Sequence, residues 1–71
     1  MRYEIRGSAD LGSAVAEFRT LQGRTQAELA SRVGLNRTYL SNIEQGEVPA
    51  YVERYFALLE ALGLHMTIAD S

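Results

Sequence analysis

Four glycines divide this chain. Gly23, Gly34, Gly46 and Gly63 each follow a run whose apolar residues recur at helical spacing. A glycine just past the last periodic residue is a helix stop. The chain is therefore restricted to a bundle of four to five short helices. The first carries Leu11, Ala14, Val15, Phe18 and Leu21 inward, with Ser8 or Asp10 as its cap. The second opens on Thr25-Gln26-Ala27-Glu28, a capping box in which the Thr hydroxyl accepts from the amide three residues on and the Glu reaches back. It runs to about Val33 and buries Leu29, Ala30 and Val33, and Gly34 ends it with a positive φ that other residues reach only at a cost. Asn36 caps a third helix over about 37–45, with Leu40 and Ile43 inward. Pro49 leads into the last helix, about 50–63.

That last helix carries two apolar stripes, Val52, Phe56, Leu59 and Gly63 on one and Tyr51, Tyr55, Leu58 and Leu62 on the other. A helix apolar over most of its girth must be covered on most of it. With 71 residues the chain is one domain, 1–71, and a domain of this size buries only about 60% of its unfolded surface. There are no cysteines, which excludes disulfides, thiolate metal sites and a Cys nucleophile. A partner subunit is the expected source of further burial, with the second stripe at a dimer interface; the alternative leaves the tyrosines half-exposed with their hydroxyls in water. After Gly63, residues 64–70 alternate, with Leu64, Met66 and Ile68 on one side, and read as a terminal strand. A lone strand leaves its backbone unpaired. Its partner is the N-terminal segment, the same strand of a second copy, or another protein; pairing across a dimer is the expectation, which adds Met66 and Ile68 to the interface. Residues 1–7 alternate as a short strand would, and a frayed terminus fits them equally.

The formal net charge is −2, but its distribution is uneven. Residues 18–43 carry +3, residues 44–71 carry −4 and the first seventeen carry −1. All seven basic residues are Arg, the side chain whose fork matches phosphate and guanine. No segment is apolar for long enough to span a membrane, and the N-terminus lacks the apolar stretch of a secretory signal. The expected location is cytoplasmic, associated with the nucleoid.

Residues 26–45 form one unit: two short helices joined by a tight glycine turn, a helix-turn-helix. Ala30 lets the helices approach, and Leu29, Val33, Leu35, Leu40 and Ile43 are expected to lock the pair onto the core. Outward on the third helix stand Arg37, Thr38, Ser41, Asn42 and Gln45. A solvated helix exterior more often carries Glu and Lys at salt-bridge spacing. This compact set of donors and acceptors suits base edges and phosphates in the major groove of double-stranded DNA.

The string Thr25-Gln26-x-Glu28-Leu29-Ala30-x-x-Val33-Gly34-Leu35, followed by Leu40-Ser41-x-Ile43-Glu44-x-Gly46, closely resembles the lambda-repressor/Cro-type helix-turn-helix family over about residues 9–64. The resemblance implies that Gln26 meets a phosphate, that Arg37, Thr38, Ser41 and Asn42 meet bases or the nearby backbone, and that Gln45 touches phosphate. Tyr39 either reaches a phosphate with its hydroxyl or packs against the first motif helix. The segment from Phe56 to Asp70, with its Met66-Thr67-Ile68 core, resembles the end of HipB-type antitoxins. That resemblance implies a homodimer closed by the terminal strands, repression of its own operon at a pseudo-palindromic operator, and a HipA-type kinase toxin as a partner.

An enzyme is not expected. His65 is the only histidine, a general base needs an orienting partner, and no glycine-rich phosphate loop is present. No metal or cofactor is expected. The rival readings are a protein-interaction module in which the acidic C-terminal half grips a basic partner, and a solitary phage-type repressor.

Overall fold

A computed structural model of the chain describes residues 1–70. The order is β1 (Arg2–Ile5), α1 (Ser8–Leu21), α2 (Gln26–Val33), α3 (Arg37–Glu44), α4 (Ala50–Ala61) and β2 (Met66–Ala69). All four helices end alike. After α2, Gly34 takes φ 75° and the Leu35 amide donates back to the Ala30 carbonyl at 2.8 Å, the six-to-one bond of a Schellman cap. Gly23, Gly46 and Gly63 repeat this arrangement with positive φ. The capping box of α2 is complete: Glu28 N–H donates to Thr25 Oγ1 at 3.0 Å, and Thr25 N–H donates to Glu28 Oε1 at 2.8 Å. Asn36 Oδ1 accepts from Thr38 N–H at 2.7 Å and starts α3.

The start of α1 departs from the expectation. Its cap position is Gly7, and neither Ser8 nor Asp10 caps it from there. Asp10 reaches back to accept from the Arg6 amide at 2.9 Å. Ser8 lies inside the first turn, its hydroxyl buried with no hydrogen-bond partner.

The central element is α1. One side carries Leu11, Ala14 and Phe18 against Ile5, Tyr3, Ile68, Val52 and Phe56, the principal apolar cluster. Tyr3 and Phe18 meet edge to face with centroids 5.5 Å apart. The other side of α1 crosses the C-terminal end of α3 at Gly12, which is buried. A Cβ at Gly12 would lie 2.8 Å from the Glu44 carbonyl oxygen and closer still to that of Ile43. Ala30 and Leu40, both buried, close the α2–α3 contact.

Two further expectations are corrected. The terminal strand, expected to pair across a dimer, has an intrachain partner: β2 runs antiparallel to β1, with Tyr3 opposite Ile68 and Ile5 opposite Met66. The N-terminal segment is an ordered strand because Ile5 is fully buried beneath it, and the Met1 amino group meets the Asp70 carboxylate at 2.9 Å. His65 Nε2 and Thr67 Oγ1 both contact Glu4 across the sheet. Second, Val33 and Leu35 do not enter the core but are 56% and 39% exposed. The reason is the placement of α4, which packs Val52 and Phe56 onto α1 and the sheet and leaves the α2–α3 corner uncovered. Leu21, also expected inward, is exposed.

Candidate nucleic-acid interface

The helix-turn-helix is built from its caps outward. Thr25 and Glu28 fix where α2 begins, so Gln26 occupies its first turn. Gly34 and Asn36 then turn the chain into α3 within three residues. Leu40 anchors the inner side of α3, and the helix is short enough that its outer side forms one continuous polar face. Arg37, Thr38 and Gln45 on that face are exposed, and Ser41 and Asn42 are half-buried. Gln45 donates its amide to Ser41 Oγ at 3.3 Å, one turn back along the row. Tyr39 is exposed, at 40%. The six α3-side residues singled out from the sequence thus share one helix and its cap, and Gln26 joins them from α2.

Two residues that sequence reasoning did not single out hold this unit together. Arg19 of α1 forks onto Glu44 of α3, Nε to Oε2 at 2.7 Å and Nη2 to Oε1 at 3.0 Å. Only 16% and 7% of the two side chains are exposed. Arg19 Nη1 also donates to the Arg24 carbonyl at 2.8 Å, and Gln26 Nε2 donates to Glu44 Oε1 at 2.9 Å. The Arg19 hydrogen bonds, with the Gln26 amide adding to them, hold the Glu44 carboxyl below the usual carboxylate range against its burial. Arg19 and Glu44 are 25 residues apart, so no local pattern announces the pair.

The residues assigned to a dimer interface lie elsewhere. Tyr51, Tyr55, Leu58 and Leu62 are exposed in a row along α4, with Tyr51 and Tyr55 in edge-to-face contact at 6.2 Å. Met66 of β2 is 38% exposed, whereas Ile68 faces the chain's own core. Among the described residues no helix is long and apolar enough to cross a membrane.

Residues 15–68 match the helix-turn-helix family. The chain is 31% identical over 68 residues to the antitoxin HipB of Escherichia coli, covering 96% of this chain and 77% of that protein. The HipB of a second Escherichia coli strain gives the same identity over 72% of its length. An uncharacterized HTH-type transcriptional regulator of Sinorhizobium fredii is 37% identical over 54 residues, 76% of this chain and 70% of the relative. No solved structure matches the chain significantly. With the capped α2, the glycine turn and the polar α3 in place, the chain belongs to the helix-turn-helix family of the lambda-repressor/Cro type.

Proposed function

We propose that this chain is a sequence-specific double-stranded DNA-binding transcriptional repressor, the autoregulating antitoxin of a HipBA-like pair, and not an enzyme. The observation that carries the reading is the single polar face of α3, held at a fixed angle by two side-chain caps and a glycine turn. In this reading α3 enters the major groove with Arg37, Thr38, Ser41 and Asn42 toward bases. Gln26, Gln45 and the Tyr39 hydroxyl meet the flanking phosphates. The protein acts in the cytoplasm, at the nucleoid.

The working unit is a homodimer. A monomer of this mass is expected to expose about 4,400 Å², and the chain exposes 4985 Å². The excess of several hundred Å² is of the order that one partner of a stable interface buries. The apolar surface available to such an interface is the exposed row Tyr51, Tyr55, Leu58 and Leu62, with Leu64 and Met66 also exposed. Packing two α4 rows together presents two α3 helices to successive major grooves about 34 Å apart on a pseudo-palindromic operator. The acidic side chains of α4, Glu53 and Glu60, are exposed and available to a basic protein partner; the resemblance to HipB-type antitoxins implies that this partner is a HipA-type kinase toxin.

The test is a fluorescence-anisotropy titration against DNA from upstream of the chain's own gene, with a shuffled duplex alongside, at stated salt. A preference of roughly a thousandfold or more is expected. Arg37→Ala should lose roughly 1–3 kcal/mol at one base position if Arg37 forks onto guanine. Equal weak binding to both duplexes removes the repressor reading and favours a protein-interaction module. Specific DNA binding without capture of a kinase-type partner leaves a solitary repressor.

A further inference from the structure

We infer that Glu44, clamped by Arg19, is a positioning residue for DNA binding: it orients the Gln26 side-chain amide toward the DNA backbone. The inference rests on the reading of Gln26 as a phosphate contact. A glutamine amide presents an oxygen and an NH₂ group that are nearly interchangeable in shape, and only the NH₂ group can donate to a phosphate. An unrestrained glutamine samples both orientations and several rotamers. In this chain the choice is made before DNA arrives. Gln26 Nε2 donates one hydrogen to Glu44 Oε1 at 2.9 Å, so the nitrogen end is fixed and its second N–H is left for another acceptor.

Glu44 can do this only because its own position is fixed. Both of its carboxylate oxygens are held by the Arg19 fork, and the side chain is 7% exposed. A carboxylate near a phosphate would ordinarily repel it. Arg19 removes that objection, since the pair has no net charge. The same guanidinium donates to the Arg24 carbonyl and so also pins the loop that leads into α2. One buried cluster thereby connects the end of α1, the start of α2 and the end of α3. It preorganises a donor on the rim of the recognition face, which reduces the ordering that binding must pay for.

The experiment is a double-mutant cycle in operator affinity on the full chain, using Glu44→Gln, Gln26→Ala and the two together, with folding followed by circular dichroism. Gln26→Ala should weaken binding about fivefold to tenfold, the range of one hydrogen bond. Glu44→Gln should weaken binding severalfold when Gln26 is present and have no further effect when residue 26 is Ala. In parallel, the Gln26 side-chain amide proton that Glu44 accepts should lie downfield of an ordinary glutamine amide proton in the NMR spectrum of the free protein and return toward the ordinary shift in Glu44→Gln. Equal weakening by Glu44→Gln in both backgrounds would overturn the inference, because Glu44 would then act only by pinning α1 to α3. No effect of Glu44→Gln beside a clear effect of Gln26→Ala would overturn it as well. No effect of Gln26→Ala would instead remove the phosphate contact on which the inference stands. If Glu44→Gln does not fold, the same cycle is run with Arg19→Met and Glu44→Gln together, which leaves no unpaired buried charge.

Discussion

Gly12→Ala sets two physical effects of opposite sign against each other. Gly12 lies in the middle of α1, and alanine is favoured over glycine in a helix interior by about 1 kcal/mol. On propensity alone the substitution should stabilise the protein. The crossing with α3 decides otherwise. The new Cβ would sit 2.8 Å from the Glu44 carbonyl oxygen and nearer still to that of Ile43. These are backbone atoms at the end of a helix, and unlike a flexible side chain they cannot swing aside. Relief requires α1 and α3 to separate, which strains the Arg19–Glu44 fork at 2.7 Å. Overpacking of this kind costs about 1–3 kcal/mol, and rigid backbone places it at the upper end. After subtracting the propensity gain, a net loss of about 1–2 kcal/mol is expected. For a domain of this size that is a fall in Tm of roughly 5–15 °C. Thermal and urea denaturation followed at 222 nm measure it. An unchanged or raised Tm would mean that the close crossing of α1 over α3 is wrong.

Three further outcomes follow from the same geometry. Thr25→Ala removes the acceptor for the Glu28 amide and should lower stability by about 1 kcal/mol, read from the urea midpoint; a change within error would demote the capping box. Leu58→Asp with Leu62→Asp alters side chains that are 58% and 64% exposed in the single chain, so helicity should persist while sedimentation shows a monomer; a retained dimer would exclude the α4 row as its interface. The Glu44 carboxyl is held below its ordinary value of about 4.5 chiefly by Arg19. Its contribution to stability is therefore complete above that value and lost as pH falls through the lowered one. Below about pH 4.5 the native chain should lose stability more steeply than the Arg19→Met, Glu44→Gln variant. Parallel curves would show that the pair contributes nothing.

The elements were largely legible in the sequence because their signals are local. Each glycine stop is a backbone requirement at one residue, and the Thr25 box and Asn36 cap act across three residues or fewer. The start of α1 was misread because Ser8 and Asp10 are both good caps by type, and only the chain path shows Gly7 at the cap position. What lay beyond local reading depends on which surfaces meet. Val33 and Leu35 have the pattern of core residues, yet whether they are covered is decided by α4, whose two apolar stripes left its facing open. The strand partner was ambiguous because an alternating segment carries no mark of which edge it joins. The Arg19–Glu44–Gln26 cluster was invisible because its members come from three helices. The positions proposed for DNA contact were legible for the opposite reason: all but Gln26 lie within one short helix and its cap.

The Arg19–Glu44 pair also changes how the charge of the motif should be counted. Residues 18–43 contain four arginines, but Arg19 is turned inward onto Glu44 and cannot also neutralise a phosphate. At most Arg24, Arg32 and Arg37 remain in that stretch, six charges in a dimer. Each neutralised phosphate contributes about 0.9 to the slope of log affinity against log salt. The expected slope is therefore no steeper than about −5, whereas four arginines per copy would give about −7. A shallow slope leaves more of the affinity to the uncharged base-facing groups of α3, namely Thr38, Ser41 and Asn42, and those groups distinguish sequences only where their hydrogen bonds are met. Operator titrations from 50 to 300 mM salt, a span of roughly sixfold over which the response is linear, give the slope directly. A value near −7 would mean that the Arg19–Glu44 pair opens on DNA or that arginines outside the motif reach the backbone. Repeating the series with Arg19→Met and Glu44→Gln decides between these: the slope falls by about 2 if Arg19 was one of the contacts, and stays where it was if the extra charge comes from Arg2, Arg6 or Arg54.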